Sequence, residues 1–307
     1  MNIRKKIGLV LALVPLFVMA QTDPKISHSL LTQTHYNPAT TGSTWMGNIT
    51  LLGRHQFMGF EGAPTTGLFN FDIQAPTINS GFGLSVMYDK YGPVSSYNAT
   101  INYAYHIGIG QHQTLSLGVG AGVQMRQYDG SGNIYEQDGD PLEYYEKDTQ
   151  WAPDVNFGLQ YTLKNWVIGA SITHLQRYFM PADLRFASVN YHFYTRYRFE
   201  VARYWNIIPS IAVQYDNVTV NEEVNLLFEY TKLVWFGASY RMSDALKPQS
   251  VVPMIGFNIA DYVRIGYAYE HTLTDLNTYS NGTHELMLTL RFKTRSKTYK
   301  TPRFAEW

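Results

Sequence analysis

The chain has 307 residues, no cysteine, and 24 basic side chains against 24 acidic ones. Zero formal net charge leaves no basic field to attract a nucleic-acid backbone, and the missing thiols exclude disulfide frameworks, thiolate zinc sites, cysteine nucleophiles and a lipoprotein anchor. Only 16% of residues are charged while 15% are aromatic, with 24 Tyr, and a mean hydropathy of -0.22 means that apolar residues are dispersed among polar ones, unlike the long runs of a helical membrane bundle.

Arg4, Lys5 and Lys6 precede an almost unbroken apolar segment, Ile7 to Met19, which closes at Val18-Met19-Ala20. Charge, length and the small residue at the cut are those of a secretory signal peptide, and about thirteen apolar residues fall short of the roughly twenty that a membrane helix needs. Residues 1–20 are expected to be removed, so that the exported chain begins at Gln21. Residues 21–43 then place Ile26, Leu30 and Leu31 at roughly helical spacing before Asn37-Pro38-Ala39. This stretch is too polar to span, and its expected place is inside a barrel lumen as a plug, or against a periplasmic partner.

From there on the dominant signal is period-two alternation. Leu115, Leu117, Val119, Ala121, Val123 and Met125 alternate with Ser116, Gly118, Gly120, Gly122, Gln124 and Arg126. One face suits lipid and the other a polar or tightly packed interior. The pattern predicts strands over Trp45 to Gln56, Gly67 to Gln74, Gly81 to Asp89, Ser96 to His106, Thr114 to Gln127, Ala152 to Leu163 and Asn165 to His174. The second half adds Phe186 to Phe199, Tyr204 to Tyr215, Val218 to Tyr230, Leu233 to Arg241, Val251 to Ile259, Tyr262 to Glu270 and His284 to Phe292. The fold class is therefore expected to be all-β: a transmembrane antiparallel barrel of about fourteen strands over residues 44–292, with aromatic residues gathered at strand ends as girdles.

Connection lengths test this independently, because outer-membrane barrels carry short turns on the periplasmic side and longer loops outside. The connections that fall on the periplasmic side, from Ala75 to Ser80 through Ala260 to Asp261, are all short. Four of the seven on the other side are long, and the clearest exception, Asp216-Asn217, suggests a misplaced boundary between Tyr204 and Tyr230. A secreted β-sandwich also alternates, but has no use for aromatic belts. Beyond the last strand, residues 293–307 hold Lys293, Arg295, Lys297, Lys300 and Arg303, a basic tail left on the periplasmic side by an even strand number. It is either a solvated end or a contact for a periplasmic partner.

No motif carries chemistry. The nine histidines form no metal-binding pair, and the acidic run Glu136 to Asp148 lacks the spacing of an EF-hand. Gly118, Gly120 and Gly122 have strand spacing and no turn into a helix, so they make no nucleotide site. Ser85, Ser171 and Ser239 with His106 and His174 offer only what any chain of this length would offer a hydrolase. No catalytic residue, cofactor or metal is expected.

The order of short motifs is more telling. Asp23-Pro24, Asn37-Pro38-Ala39 with Gly42, Arg54-x-Gln56, Gly62-Ala63-Pro64-x-Thr66, Gly81-x-Gly83 with Asp89 and Gly92, Tyr103-Ala104-Tyr105-His106 and the run Leu115 to Gly122 follow one another. The series resembles the PorP/SprF family of outer-membrane proteins of the type IX secretion system of Bacteroidetes, most densely before about residue 170. Phe57 departs from it, Trp being expected after Arg-x-Gln. The resemblance implies a non-enzymatic part in protein export, with contacts to periplasmic and peptidoglycan-associated components and to a secreted cargo or adhesin. It also implies that Asn37, Pro38, Ala39, Arg54 and Gln56 join the prefix to the barrel. A different class, the FadL-type channels for hydrophobic solutes, is similar in its N-terminal hatch and triplet. Such a channel needs an apolar pocket, whereas the inward sets, Ser116 to Arg126 above with Asn156, Gly158, Gln160 and Thr162 and with Arg264, Gly266, Ala268 and Glu270, are mostly Gly, Ser, Asn, Gln and charged residues.

Overall fold

The alternation of apolar and polar side chains builds a single antiparallel sheet that closes on itself, as a computed structural model describes for residues 23–44, 46–130, 147–181, 187–244, 246–278 and 280–293. The first seven strands are β1 (Met46–His55), β2 (Thr65–Ala75), β3 (Ser80–Tyr91), β4 (Val94–Gly110), β5 (Gln113–Asp129), β6 (Lys147–Leu163) and β7 (Trp166–Thr173). The others are β8 (Asn190–Tyr197), β9 (Phe199–Ala202), β10 (Trp205–Tyr215), β11 (Val220–Tyr230), β12 (Val234–Ser243), β13 (Lys247–Ile259), β14 (Val263–Thr272) and β15 (Thr283–Lys293). Pairing of β1 with β15, from Met46 opposite Lys293 to His55 opposite His284, closes the barrel.

Strands β8 and β9 share one place in the wall. Strand β8 pairs with Ser210–Tyr215 of β10, and β9 with its other end at Trp205–Ile207. The wall is thus a fourteen-strand barrel with one extra strand, and the single strand expected over Phe186 to Phe199 is broken. The break falls at Arg198, whose N–H donates to the Asn165 carbonyl at 3.0 Å and whose guanidinium pairs with Glu229. Phe186 itself lies outside the described residues.

Outward positions are apolar and open, such as Leu117 and Val119, while their neighbours Ser116 and Gly118 are buried toward the interior. On a barrel in lipid the open apolar face is the solvated one, so no further covering is required. The connections after β1, β5, β7 and β14 are long and share one end of the barrel with the short ones after β3, β10 and β12, while those at the other end, 76–79, 111–112, 164–165, 203–204, 231–233 and 260–262, are all short. Several short turns are closed by non-glycine residues in the left-handed region, among them Asn79, His112, Lys164, Thr231 and Ala260, with φ between 50° and 60°. The connection after Tyr215 is short in fact, which corrects the expectation of a misplaced boundary. Asp216 builds it: its Oδ1 accepts the N–H groups of Val218 at 3.0 Å and Thr219 at 2.7 Å, and its Oδ2 accepts the Thr219 hydroxyl at 2.9 Å.

Residues 23–44 run through the barrel interior from the long-loop end to the turn end. The helical spacing of Ile26, Leu30 and Leu31 does not become a helix there. Residues 27–31 form turns, followed by a single helical turn, α1 (Gln33–Tyr36), and a 3-10 turn at Pro38–Thr40. The backbone N–H groups of Ser27 and His28 are held by a wall carboxylate, and the turn after them closes with the Leu31 and Thr32 N–H groups on the His28 carbonyl at 2.8 and 3.1 Å. Ile26 and Leu30 instead pack on Leu52, Leu227, Trp235, Val252, Met254 and Met287. The lumen is therefore less polar than expected, because β11, β12 and β13, absent from the inward sets considered in the sequence, point Leu227, Trp235, Val252 and Met254 inward. Each such side chain contributes roughly 1.5–3 kcal/mol when fully buried.

Candidate functional site: the occupied lumen

Three sets of inward side chains hold residues 23–43, and each uses a different physical device. The first lies near the long-loop ends of β1, β11, β12, β14 and β15, whose inward positions carry Arg54, Glu223, Arg241, Glu270 and Glu285. Glu285, with no exposed side-chain surface, accepts the N–H of Ser27 at 2.7 Å, the N–H of His28 at 2.8 Å and the His28 Nδ1–H at 2.6 Å. Arg54 reaches Glu270 at 2.7 Å and Glu285 at 3.4 Å, and also donates to the Ser27 hydroxyl at 3.1 Å. Arg241 bridges Glu223 at 3.0 Å and Glu270 at 2.8 Å, and its remaining nitrogen donates to the Ile26 carbonyl at 3.0 Å. Two guanidinium groups face three carboxylates out of water, so each carboxylate touches at least one guanidinium and most of the hydrogen-bonding positions are filled, as burial of ions demands. Lys25, at the edge of this set, donates to Gln249 at 2.7 Å. Burial and the nearby Arg241 push its ammonium down to about 8.

The second set sits at the rim where β7 leaves the wall. His174, left-handed at φ 62°, places Nδ1 2.9 Å from Asp154 and Nε2 3.0 Å from Asp23. Asn190 donates to the same Asp23 oxygen, Oδ2, at 2.8 Å. Burial works to raise the Asp23 carboxyl, but the charge and hydrogen bond of His174 outweigh it and hold the group well below the usual carboxylate range. Burial likewise opposes the His174 cation, and Asp23 with Asp154 reverses that, holding the imidazole well above its ordinary value.

The third set is a cradle of backbone and glycine on β3 to β8, near the turn end. Asn37 is fully buried; its Oδ1 accepts the Ala39 N–H at 2.9 Å, and its Nδ2 donates to the Leu159 carbonyl and the Tyr194 hydroxyl, both at 3.1 Å. Pro38 opens the 3-10 turn, where its fixed φ is already suited and its missing N–H is not needed. Glycine in the wall is what lets this turn approach. A Cβ on Gly158 would stand 1.9 Å from Asn37 Oδ1, and one on Gly118 would stand 2.1 Å from the Ala39 nitrogen. The Thr41 carbonyl accepts from His106 Nε2 at 3.0 Å, with the Ser116 hydroxyl on the other ring nitrogen at 2.8 Å. Ser171 holds the Tyr36 carbonyl at 2.7 Å.

Of the residues singled out in the sequence, Asn37, Pro38 and Ala39 thus lie in the cradle and Arg54 in the ionic set. Gln56 ends the first strand region, its N–H on the Pro64 carbonyl at 2.8 Å, away from residues 23–43. Lys293 closes β15 and lies over the Tyr262 ring at 5.9 Å, whereas Arg295, Lys297, Lys300 and Arg303 fall outside the described residues. Much of the acidic run Glu136 to Asp148 also falls outside them, as does the segment 1–20. Sequence reading passed over Asp23 as a rim contact and over Glu223, Arg241, Glu270 and Glu285 as a group. The available signal was a charged residue at an inward position of a strand whose outward face is apolar. Among the described residues no cluster has a metal-ligand set, and the wall serines singled out as hydrolase candidates are spent on structure: Ser171 on Tyr36 and Ser239 between Asn225 and Glu223.

A family model described as "Type IX secretion system membrane protein PorP/SprF" matches residues 18–290. No curated relative matches the sequence. Solved structures share the architecture at low identity. The toluene transporter TbuX of Ralstonia pickettii is 11% identical, with a TM-score of 0.54 over 86% of this chain and 94% of that one. The CymD monoaromatic hydrocarbon channel is 9% identical, with a TM-score of 0.51 over 86% of this chain and 93% of that one. At such identities the likeness is one of fold.

Proposed function

We propose a secretion role for this outer-membrane barrel from one premise: the chain belongs to the PorP/SprF family of type IX secretion system membrane proteins. In this reading it is a non-enzymatic component that joins the outer membrane to periplasmic and peptidoglycan-associated parts of the machinery and supports export or surface attachment of a cargo or adhesin. The family match over residues 18–290 carries the proposal. The occupied lumen supports it, since residues 23–43 act as a plug fixed by ions at one end and by close backbone packing at the other. The long loops then face outside and the short turns face the periplasm, where the basic tail from Lys293 onward offers contacts to acidic partners. Export uses residues 1–20, with cleavage after Ala20.

The test is the extracellular proteome of a clean deletion strain beside its parent and a complemented strain, with periplasmic accumulation followed in parallel. Broad retention of cargo is the result expected of a general export part, and loss of one large surface protein that of a dedicated partner. An unchanged secretome would overturn the proposal.

A second reading, a channel for hydrophobic solutes, is favoured by one specific observation: an apolar cluster between plug and wall, at Leu227, Trp235, Val252 and Met254, within a fold shared with the toluene transporter TbuX. Ile26 and Leu30 already occupy that cluster, so uptake would require the plug to move. Uptake of labelled toluene by the deletion and complemented strains separates the two readings.

A further inference from the structure

A cavity of about 260 Å³ lies below the plug at the turn end, bounded by residues 30–34 and 40–44 on one side and by the β1, β2, β14 and β15 wall on the other. Its charges do not balance. Arg196, Lys232, Arg264 and Arg291 line it against only Asp72 and Asp261. Asp72 is engaged with the Asn48 amide at 3.1 Å, and Asp261 is exposed at its turn.

Two of these cations, Arg264 and Arg291, keep donors without a partner. Arg264 is 7% exposed and uses Nε on the Asn258 amide oxygen at 2.8 Å, and among the described residues no carboxylate forms an ion pair with its terminal nitrogens. Arg291 has a buried Nε without a partner. Arg196 is turned toward the same space by its bonds to Gln33 Oε1 at 3.0 Å and to the Leu30 carbonyl. An independent observation comes from β2, farther along the same wall. Asn70, 4% exposed, lines the cavity with both its amide oxygen and its amide nitrogen unpartnered. A buried amide left without partners and a guanidinium left without a counter-ion are each unfavourable, and one ligand bearing an oxyanion would relieve both.

We infer that this cavity is a binding site for a small anionic ligand, one carrying a carboxylate or phosphate group, which enters from the turn end. Arg264 and Arg291 supply the charge and the directed donors, with guanidinium geometry matched to a two-oxygen acceptor. Asn70 supplies one further donor and one acceptor, which suits a ligand that also carries a hydroxyl or an amide. The site does not depend on the secretion reading, since it follows from charge and cavity alone.

Isothermal titration of the full chain in an uncharged detergent, with inorganic phosphate in one arm and succinate in the other, tests this. Saturable binding of either probe is expected, and the arm that binds tells which oxyanion the site prefers. Arg264→Gln and Arg291→Gln should each weaken that binding about tenfold or more, the scale of a lost charge-assisted hydrogen bond. Asn70→Ala, which adds no charge and relieves an unpaired amide, should leave the melting temperature unchanged or raised while weakening binding less. Absence of saturable binding in both arms would overturn the inference. So would unchanged binding by an Arg264→Gln, Arg291→Gln double variant that runs as a folded barrel on unheated gels.

Discussion

Removal of the Glu285 carboxylate should release the upper plug while leaving the barrel closed. The side chain is without exposed surface and receives two backbone N–H groups, the His28 ring and Arg54. In Glu285→Ala both N–H groups lose their acceptor and Arg54 keeps Glu270 as its one remaining carboxylate. Deleting one partner of a buried ion pair costs about 3–5 kcal/mol, and an N–H bond to a charged acceptor accounts for about 1.5–3 kcal/mol within that non-additive sum. Nearly all of the loss falls on the docking of residues 23–30, because the β1–β15 ladder is unchanged. About 4 kcal/mol corresponds to a rise of close to a thousandfold in the equilibrium for plug opening. The chain has no cysteine, so a single thiol at Thr32, 2% exposed, reports that opening through its rate of maleimide labelling. Glu285→Ala in the Thr32→Cys background should label faster by two to three orders of magnitude, roughly as the opening constant rises, with heat-modifiable mobility preserved. Glu285→Gln, which keeps one acceptor oxygen, should fall between. Labelling of Glu285→Ala within about threefold of its parent would refute the role of this carboxylate as the upper clamp.

Two further outcomes follow from the other anchors. Gly158→Val puts a branched side chain where a Cβ alone would meet Asn37 Oδ1 at 1.9 Å, and should lower stability by about 1–3 kcal/mol through overpacking; an unchanged melting temperature would show that the 3-10 turn is not seated on β6. The Asp23–His174 contact should vary with pH. Asp23 is held below the ordinary 3.8 of an aspartate, so its contribution is present above that value and is lost as the pH falls through the lower folded one. His174 is held above 6.5, so its contribution is complete below 6.5 and is lost as the pH rises through the higher folded one. The rim contact is therefore strongest between about pH 4 and pH 6.5 and weakens on the alkaline side. Amide hydrogen exchange at residues 25–28 should show this weakening once corrected for intrinsic rates, and Asp23→Asn should flatten the profile; identical profiles for the two proteins would remove His174 from the account.

The barrel was legible because lipid imposes a rule on every strand. Leu117, Val119 and Val123 on one face and Ser116, Gly118 and Gly120 on the other follow from the pleat alone, and period two needs no knowledge of distant partners. The plug geometry was less legible because it depends on pairs far apart in the chain. Ile26 and Leu30 have helical spacing, yet the anchor of the turn that carries them is Glu285, more than 250 positions away, which accepts the N–H groups of Ser27 and His28. Arg198 breaks a strand that reads as continuous, since its partner Glu229 is supplied by a later strand. Glycine was misleading in another way. Gly118 and Gly158 have the spacing of ordinary wall positions, and only the approach of Asn37 and Ala39 shows why a side chain is excluded there.

The two ends of the plug differ in a manner that bears on how it could move. At the turn end its contacts are steric and local: a 3-10 turn set against Gly118 and Gly158, with Asn37 filling its own cap. Such packing resists displacement over short distances, since any shift drives backbone into backbone. At the long-loop end its contacts are ionic and come from strands on different parts of the wall: β1, β11, β12, β14 and β15 for one set, β6 and β7 with Asn190 for the other. Ionic contacts in a lumen can exchange partners with water or with an incoming charged segment, and in doing so they lose less than packed backbone loses. A partner that reaches the outer mouth would thus free residues 23–30 before it disturbed Asn37, and the turn at Pro38 would act as the hinge. That order places the movable half of the plug outside and the fixed half beside the basic cavity, so that occupancy of the cavity and release of the upper plug are separable events.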